Sequence, residues 1–230
     1  MKIVTWNCNL NFAKKYEHIE SMDVDVCIVQ ECERLNEDYF PNSRFFWTGR
    51  IENKGLGILI KNESASLDSS HNPNLINFLP IRSDNLKILG VWAYNHRAKK
   101  FGDNVSGETI QAIEFYKEWL VDADLPCVFG GDFNNSVIWD RPNNKNNFQN
   151  INTQLEGLGF ASAYHTNTED DFGCEESATF YHTKQESKKY HIDYLYVRSM
   201  ESICIELGKY EDWIKLSDHT PLIVELLHRH

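Results

Sequence analysis

The 230 residues carry 23 Lys and Arg against 34 Asp and Glu, a formal net charge of -11, with 41% hydrophobic and 25% charged side chains. That balance excludes a disordered chain and supplies the apolar material for one sizeable core. The acidic excess also excludes duplex binding driven by overall charge, which draws on Lys and Arg, so a polyanionic partner must be held locally, where a divalent cation on acidic ligands reverses the potential.

The opening "MKIVTWNCNLNF" has no apolar stretch long enough for a signal peptide, and no uninterrupted apolar run approaches a membrane span. An intracellular, cytoplasmic protein without a membrane partner is expected. The six cysteines form no CxxC pair, and several fall in candidate strands, so they read as reduced thiols rather than a zinc site.

In chain order, "KIVTW" (2–6) reads as a β-branched strand and "DVDVCIVQE" (23–31) as a second, with "AKKYEHIESM" between them as a short helix. "RFFWTGR" and "GLGILIK" are neighbouring strands around a polar turn, and "LKILGVWAYN" (86–95) is a longer one. "SGETIQAIEFYKEWLVD" carries the clearest helical signature, with Ser106 as candidate N-cap and Ile110, Ile113 and Trp119 at helical spacing. The strand "LPCVFGG" follows. Asn-rich "DRPNNKNNFQN" supplies no core and reads as a loop, and "INTQLEGLGF" as a helix ending at glycine. "HIDYLYV", "ESICIEL" and "PLIVELL" close the chain as three more strands. Strands interspersed with fewer helices predict packed sheets with helices outside. No fixed-period repeat or low-complexity linker divides residues 1–230, so one domain is expected.

Metal-competent polar residues recur at the ends of these strands: Asn7 after "KIVTW", Glu31 after "VCIVQ", Asp132 and Asn134 after "CVFGG". In "GGDFNN" the glycines permit close backbone approach, and Asp132 and Asn134, two residues apart, point the same way from an extended segment. Aimed at one water, a carboxylate takes its proton while an amide fixes the oxygen; an Asx-turn closing the strand is the competing reading. "SDHTPL" sets Asp218 beside His219 at the entrance of the last strand, a burial that needs a partner. Asp193, opening "HIDYLYV", is suited to accept a hydrogen bond from that imidazole, fixing its tautomer and favouring its protonated form.

"TWNCN", "VQE", "GGDFNN", "HIDYLYV" and "SDHTPL", in this order over nearly the whole chain, resemble the endonuclease/exonuclease/phosphatase superfamily, which includes DNase I-like and exonuclease III-like enzymes. The resemblance implies an α/β fold, a four-layer α/β/β/α sandwich of two mixed β-sheets flanked by helices, with a metal-dependent phosphoester hydrolase site at one edge. It implies Glu31 as principal Mg²⁺ ligand, with Asn7 and Asp218 also at the metal site and Mn²⁺ a substitute. It implies Asp132 as the carboxylate that orients or deprotonates the attacking water, Asn134 as the amide beside it, and His219 on the scissile phosphate with Asp193 behind it. In "GVWAYNHR", Tyr94 matches the "AY" form of exonuclease III-like members at a phosphate-proximal position, with His96 a close competitor.

Substrate choice rests on less. "HRAKK" (96–100), containing His96 and Arg97, and "SKKYH" (187–191) are basic stretches suited to a phosphate backbone, or ordinary solvated surface. Trp139 and Arg141 follow "GGDFNN" and are expected at the cleft rim, where an aromatic ring and a guanidinium stack on bases; Trp139 fits loop packing equally. The leading expectation is a metal-dependent nuclease or phosphodiesterase acting on DNA or another nucleic acid. The alternatives are a hydrolase of a small phosphorylated molecule or phospholipid head group, and a non-catalytic binding module, which intact Glu31, Asp132, Asn134, Asp193 and His219 oppose.

Overall fold

The central strands are apolar on both faces, and the chain buries each face separately, one against a second sheet and one against helices. In the computed structural model, which describes residues 1–94, 108–122 and 125–228, the strands are β1 (Lys2–Asn7), β2 (Val26–Cys32), β3 (Arg44–Ile51), β4 (Lys54–Ile60), β5 (Ser66–Leu67), β6 (Phe78–Arg82), β7 (Lys87–Trp92), β8 (Cys127–Asp132), β9 (Ala161–Ser162), β10 (Phe180–Tyr181), β11 (Lys189–Tyr190), β12 (Asp193–Arg198), β13 (Met200–Leu207) and β14 (Leu222–His228). One six-stranded sheet runs β13-β14-β1-β2-β4-β3 and the other β5-β6-β7-β8-β12-β9. Each is mixed: β1 is parallel to β2 and antiparallel to β14, while β7 is parallel to β8, which is antiparallel to β12.

Alternation along β1 and β2 shows the layering. Ile3, Val26 and Ile28 point into the core between the sheets, meeting Ile81, Ile88, Val128 and Leu195. Val4, Trp6, Cys27 and Val29 point outward, under a layer built from Phe12, Ile19 of α1 (Tyr16–Glu20) and Trp213 of α5 (Tyr210–Trp213). On the far side, α2 (Glu108–Val121) and α3 (Phe148–Gly157) lay Ile113, Tyr116, Leu120, Phe148 and Leu155 on Leu89, Phe129 and Tyr196. The four-layer α/β/β/α arrangement is therefore observed. All six thiols are free, and those of Cys8, Cys27, Cys32 and Cys127 are buried as small apolar groups. Among the described residues no helix is long and apolar enough to cross a membrane.

Three elements depart from the sequence reading. β6 contains Pro80, which argues against a sheet interior; it is tolerated because its neighbour on one side, β5, is only two residues long. α3 starts at Phe148, inside the predicted loop, because both Asp140 carboxylate oxygens reach across eight and nine residues to accept from the Phe148 and Gln149 amides at its first turn. A short helix, α4 (Ala163–Thr168), follows β9. Ser106 lies outside the described residues.

The predicted close approach at "GGDF" is real, but its partner is the next strand. Gly131 has φ +145°, and a Cβ there would sit 1.9 Å from the Val91 carbonyl oxygen. Gly131→Ala is expected to lower unfolding free energy by about 3 kcal/mol or more, read as a fall in urea midpoint at unchanged slope.

Candidate active site

Parallel pairing of β1 with β2 and of β7 with β8 brings four strand C-termini to one edge, where β12 and β4 begin antiparallel. Asn7 lies opposite Gln30, Trp92 opposite Asp132, and Asp132 opposite Asp193. The two aspartates are therefore neighbours by register, and both are buried, at 0% and 1% exposure.

Asp132 is held by donors that the strand ends supply. Its Oδ1 accepts from the Asn134 backbone N–H at 2.8 Å, and its Oδ2 accepts from the Asn134 amide at 2.9 Å and the Asn7 amide at 3.0 Å. The Asx-turn reading of "GGDFNN" is realised, and the turn aims the Asn134 amide back at Asp132. Asn134 takes the left-handed backbone, φ 48°, for this, and also donates to the Ala93 carbonyl at 3.1 Å. Burial, reinforced by the charge of Asp193, pushes the Asp132 carboxyl up to about 7 despite these donors.

His219 is buried and donates from Nδ1 to Asp193 Oδ2 at 2.9 Å. Burial alone would depress the imidazole, but the charge and hydrogen bond of Asp193, with Asp132 and Asp218 nearby, override it and raise His219 to about 9. Its backbone is also held, with Ser217 Oγ accepting from its N–H and Trp6 Nε1 donating to its carbonyl at 3.0 Å, and the Phe180 ring lies 4.7 Å from the imidazole. The Thr179 hydroxyl receives the Asp193 N–H, completing the support.

Ligand-competent atoms of Asp132, Asp193 and His219 lie within 4.8 Å of one another. Asp193 and His219 already spend atoms on each other, which leaves fewer free ligand atoms here for a cation. Among the described residues, Asp193 Oδ1 is a buried acceptor with no hydrogen-bond partner. Beside this group, Asp218 Oδ1 receives only the Asn9 amide, at 3.0 Å. Glu31 adds a further carboxylate on a β-bulge of β2, with left-handed backbone at φ 58°. Bulges re-aim a side chain, and strained residues of this kind concentrate at functional sites. The carboxylate and amide oxygens that Asn7, Glu31 and Asp218 offer are the donor chemistry of a hard divalent cation.

Glu31 shares a cleft of about 360 Å³ with Arg50, Ile51, Lys54, Asn77, Trp92, Tyr94 and Asn134. Of the predicted residues, Asn7, Glu31, Asp132, Asn134, Asp193, Asp218, His219 and Tyr94 thus stand on this edge. Trp139 lies against Tyr190, ring centroids 5.2 Å apart, and Tyr190 continues through Phe180 towards His219. Arg141 is exposed, with its backbone tied to Asn147 at the start of α3. His96 and Arg97 lie outside the described residues. Sequence reasoning missed Asn9, whose signal was its place two residues after Asn7, and also Arg50 and Lys54. Charges flanking the "IENKG" turn default to solvent, and only strand pairing turns them inward.

No protein-family model matches the sequence, and no curated protein is similar to it. Solved structures are. A 3′ phosphatase, NExo, from Neisseria, bound to product DNA hairpin, superposes with TM-score 0.72 over 99% of both chains at 18% identity. An AP endonuclease from Archaeoglobus fulgidus does so with TM-score 0.71 over 100% of both chains at 16% identity. An endonuclease/exonuclease/phosphatase family protein from Leptotrichia buccalis gives 0.67 over 99% of both chains at 13% identity. This chain has the endonuclease/exonuclease/phosphatase fold. Within that fold, the site edge is where both parallel strand pairs end, so the scaffold itself gathers Asn7, Glu31 and Asp132 from strands far apart in sequence.

Proposed function

We propose that the protein is a divalent-metal-dependent phosphodiesterase that hydrolyses phosphodiester bonds of DNA or another nucleic acid. The observation that carries this reading is a buried Asp132–Asp193–His219 group joined through Asn134 to the Glu31 cleft. The similar structures described as a DNA-bound 3′ phosphatase and an AP endonuclease support a nucleic-acid substrate.

In this reading Glu31, Asp218 and Asn7 hold Mg²⁺, or Mn²⁺ in its place. The cation would supply Lewis-acid stabilisation of charge on phosphate oxygens. Asp132, ionised and oriented by Asn7 and Asn134, accepts the proton of the attacking water. His219, kept protonated at neutral pH by Asp193, presents Nε2 to a phosphate oxygen as charge grows there. Asp193 acts through His219 and is a positioning residue. Tyr94, with His96 and Arg97 of the basic stretch and the Trp139–Tyr190 pair, is assigned to the bound strand.

The test is cleavage of single-stranded DNA, duplex DNA, RNA and bis-p-nitrophenyl phosphate with Mg²⁺, Mn²⁺ or EDTA. Metal-dependent cleavage of at least one polymer is expected, lost in EDTA. Cleavage of the small diester alone would favour a small-phosphoester hydrolase, and no hydrolysis of any substrate would favour a binding module.

A further inference from the structure

The reading above gives no role to the cation nearest Glu31 in the cleft. Lys54, the first residue of β4, places Nζ 2.9 Å from Glu31 Oε2, with the ammonium 5.4 Å from the Trp92 ring centroid. Its position is built rather than incidental. β4 pairs antiparallel with β2, and the bulge between Gln30 and Cys32 turns Glu31 towards the strand's first residue. The pair is partly shielded, with side-chain exposures of 35% for Lys54 and 21% for Glu31. So the carboxylate assigned as principal metal ligand is already neutralised by a cation of the chain itself.

We propose that Lys54 is an exchangeable counter-ion of the metal site: it holds Glu31 in the free protein, yields it to the divalent cation, and then takes a substrate phosphate as its partner. The proposal rests on the metal-dependent reading of this cleft. Three physical points carry it. A partly exposed Lys–carboxylate pair contributes little to stability, so a dication displaces it readily. The released ammonium then stands within a few ångström of a dication and is repelled by it, unless an anion lies between them. The Lys54 ammonium keeps the Trp92 ring face beside it, in a cleft that Arg50 also lines with its guanidinium 5.9 Å from the Tyr94 ring. Two cations on one wall, in a chain of net charge -11, supply the local basic surface that an anionic strand requires.

It follows that metal and phosphate bind with positive coupling through Lys54, and by linkage the coupling is reciprocal. Mn²⁺ affinity, measured by electron paramagnetic resonance with and without thymidine 5′-monophosphate, reads this independently of turnover. Lys54→Met, which keeps the stem and removes the charge, is expected to bind Mn²⁺ about three- to tenfold more tightly than wild type without nucleotide, the scale of a unit charge acting on a dication across a watery cleft. Lys54→Arg, which keeps the charge, is expected to match wild type. The nucleotide is expected to tighten Mn²⁺ binding more in wild type than in Lys54→Met. Equal or weaker Mn²⁺ affinity in Lys54→Met overturns the exchange, and equal coupling in both overturns the phosphate role. Glu31→Gln separates the two levels of the argument. If it abolishes Mn²⁺ binding while Lys54→Met changes nothing, only the exchange fails; if it leaves Mn²⁺ binding intact, the metal reading of the cleft fails with it.

Discussion

Replacing Asp132 with Asn is expected to lower kcat by about 10²–10⁴, the range for loss of a positioned general base. The amide cannot take a proton from water, and it meets three donors where the carboxylate accepted all of them: the backbone N–H and side-chain amide of Asn134, and the amide of Asn7. One of these contacts turns repulsive. Against that, the substitution removes a buried charge facing Asp193, so the fold should survive with a melting temperature near wild type. Single-turnover cleavage at saturating metal isolates the chemical step. A rate within about threefold of wild type would remove Asp132 from proton transfer.

His219→Ala carries the second large effect, a fall in kcat of about 10²–10³, as for loss of one donor to a developing oxyanion. It also strands Asp193 without its imidazole partner, so stability is expected to drop, and Asp193→Asn provides the gentler probe. The sign of its pH effect is fixed. The required form of His219 is the protonated one, and Asp193 is the main group raising its pKa to about 9, while Asp132 must be ionised, so wild-type kcat should rise as pH passes about 7 and fall as pH rises through about 9. In Asp193→Asn the alkaline fall should move to lower pH, towards the ordinary histidine value and further down by burial. Kinetic profiles of the two proteins check this, and superimposable alkaline limbs would contradict the role given to Asp193.

What the sequence disclosed, and what it hid, follows from the range of the forces involved. β1, β2, β8, β12 and β14 were legible because β-branched and aliphatic runs bounded by polar turns encode strands locally. Asp132, Asn134, Asp193 and His219 were legible because polar groups at the ends of such strands are costly to bury without purpose. β6 was hidden by Pro80, whose tolerance depends on the length of a neighbouring strand. The true start of α3 was hidden because its amides are capped by Asp140 from outside the helix. Gly131 was read as permitting close backbone approach, but that the approaching backbone is Val91 depends on strand pairing. Lys54 was invisible because its direction is set by pairing of β4 with β2, more than twenty residues upstream, and Arg50 because it sits at an irregularity of the β3–β4 hairpin that no local pattern announces. Trp139 was left between the cleft rim and loop packing because chain proximity cannot show which ring it meets, and that ring is Tyr190.

The most direct test of the whole account is the anomalous diffraction map of a crystal soaked in Mn²⁺. A single strong peak within coordination distance of Glu31, on the side facing Asp132 and Asp218, is the predicted result. A peak enclosed by Asp132, Asp193 and His219 with Glu31 still paired to Lys54, or no peak in a protein that cleaves phosphodiesters equally well in EDTA, would contradict it.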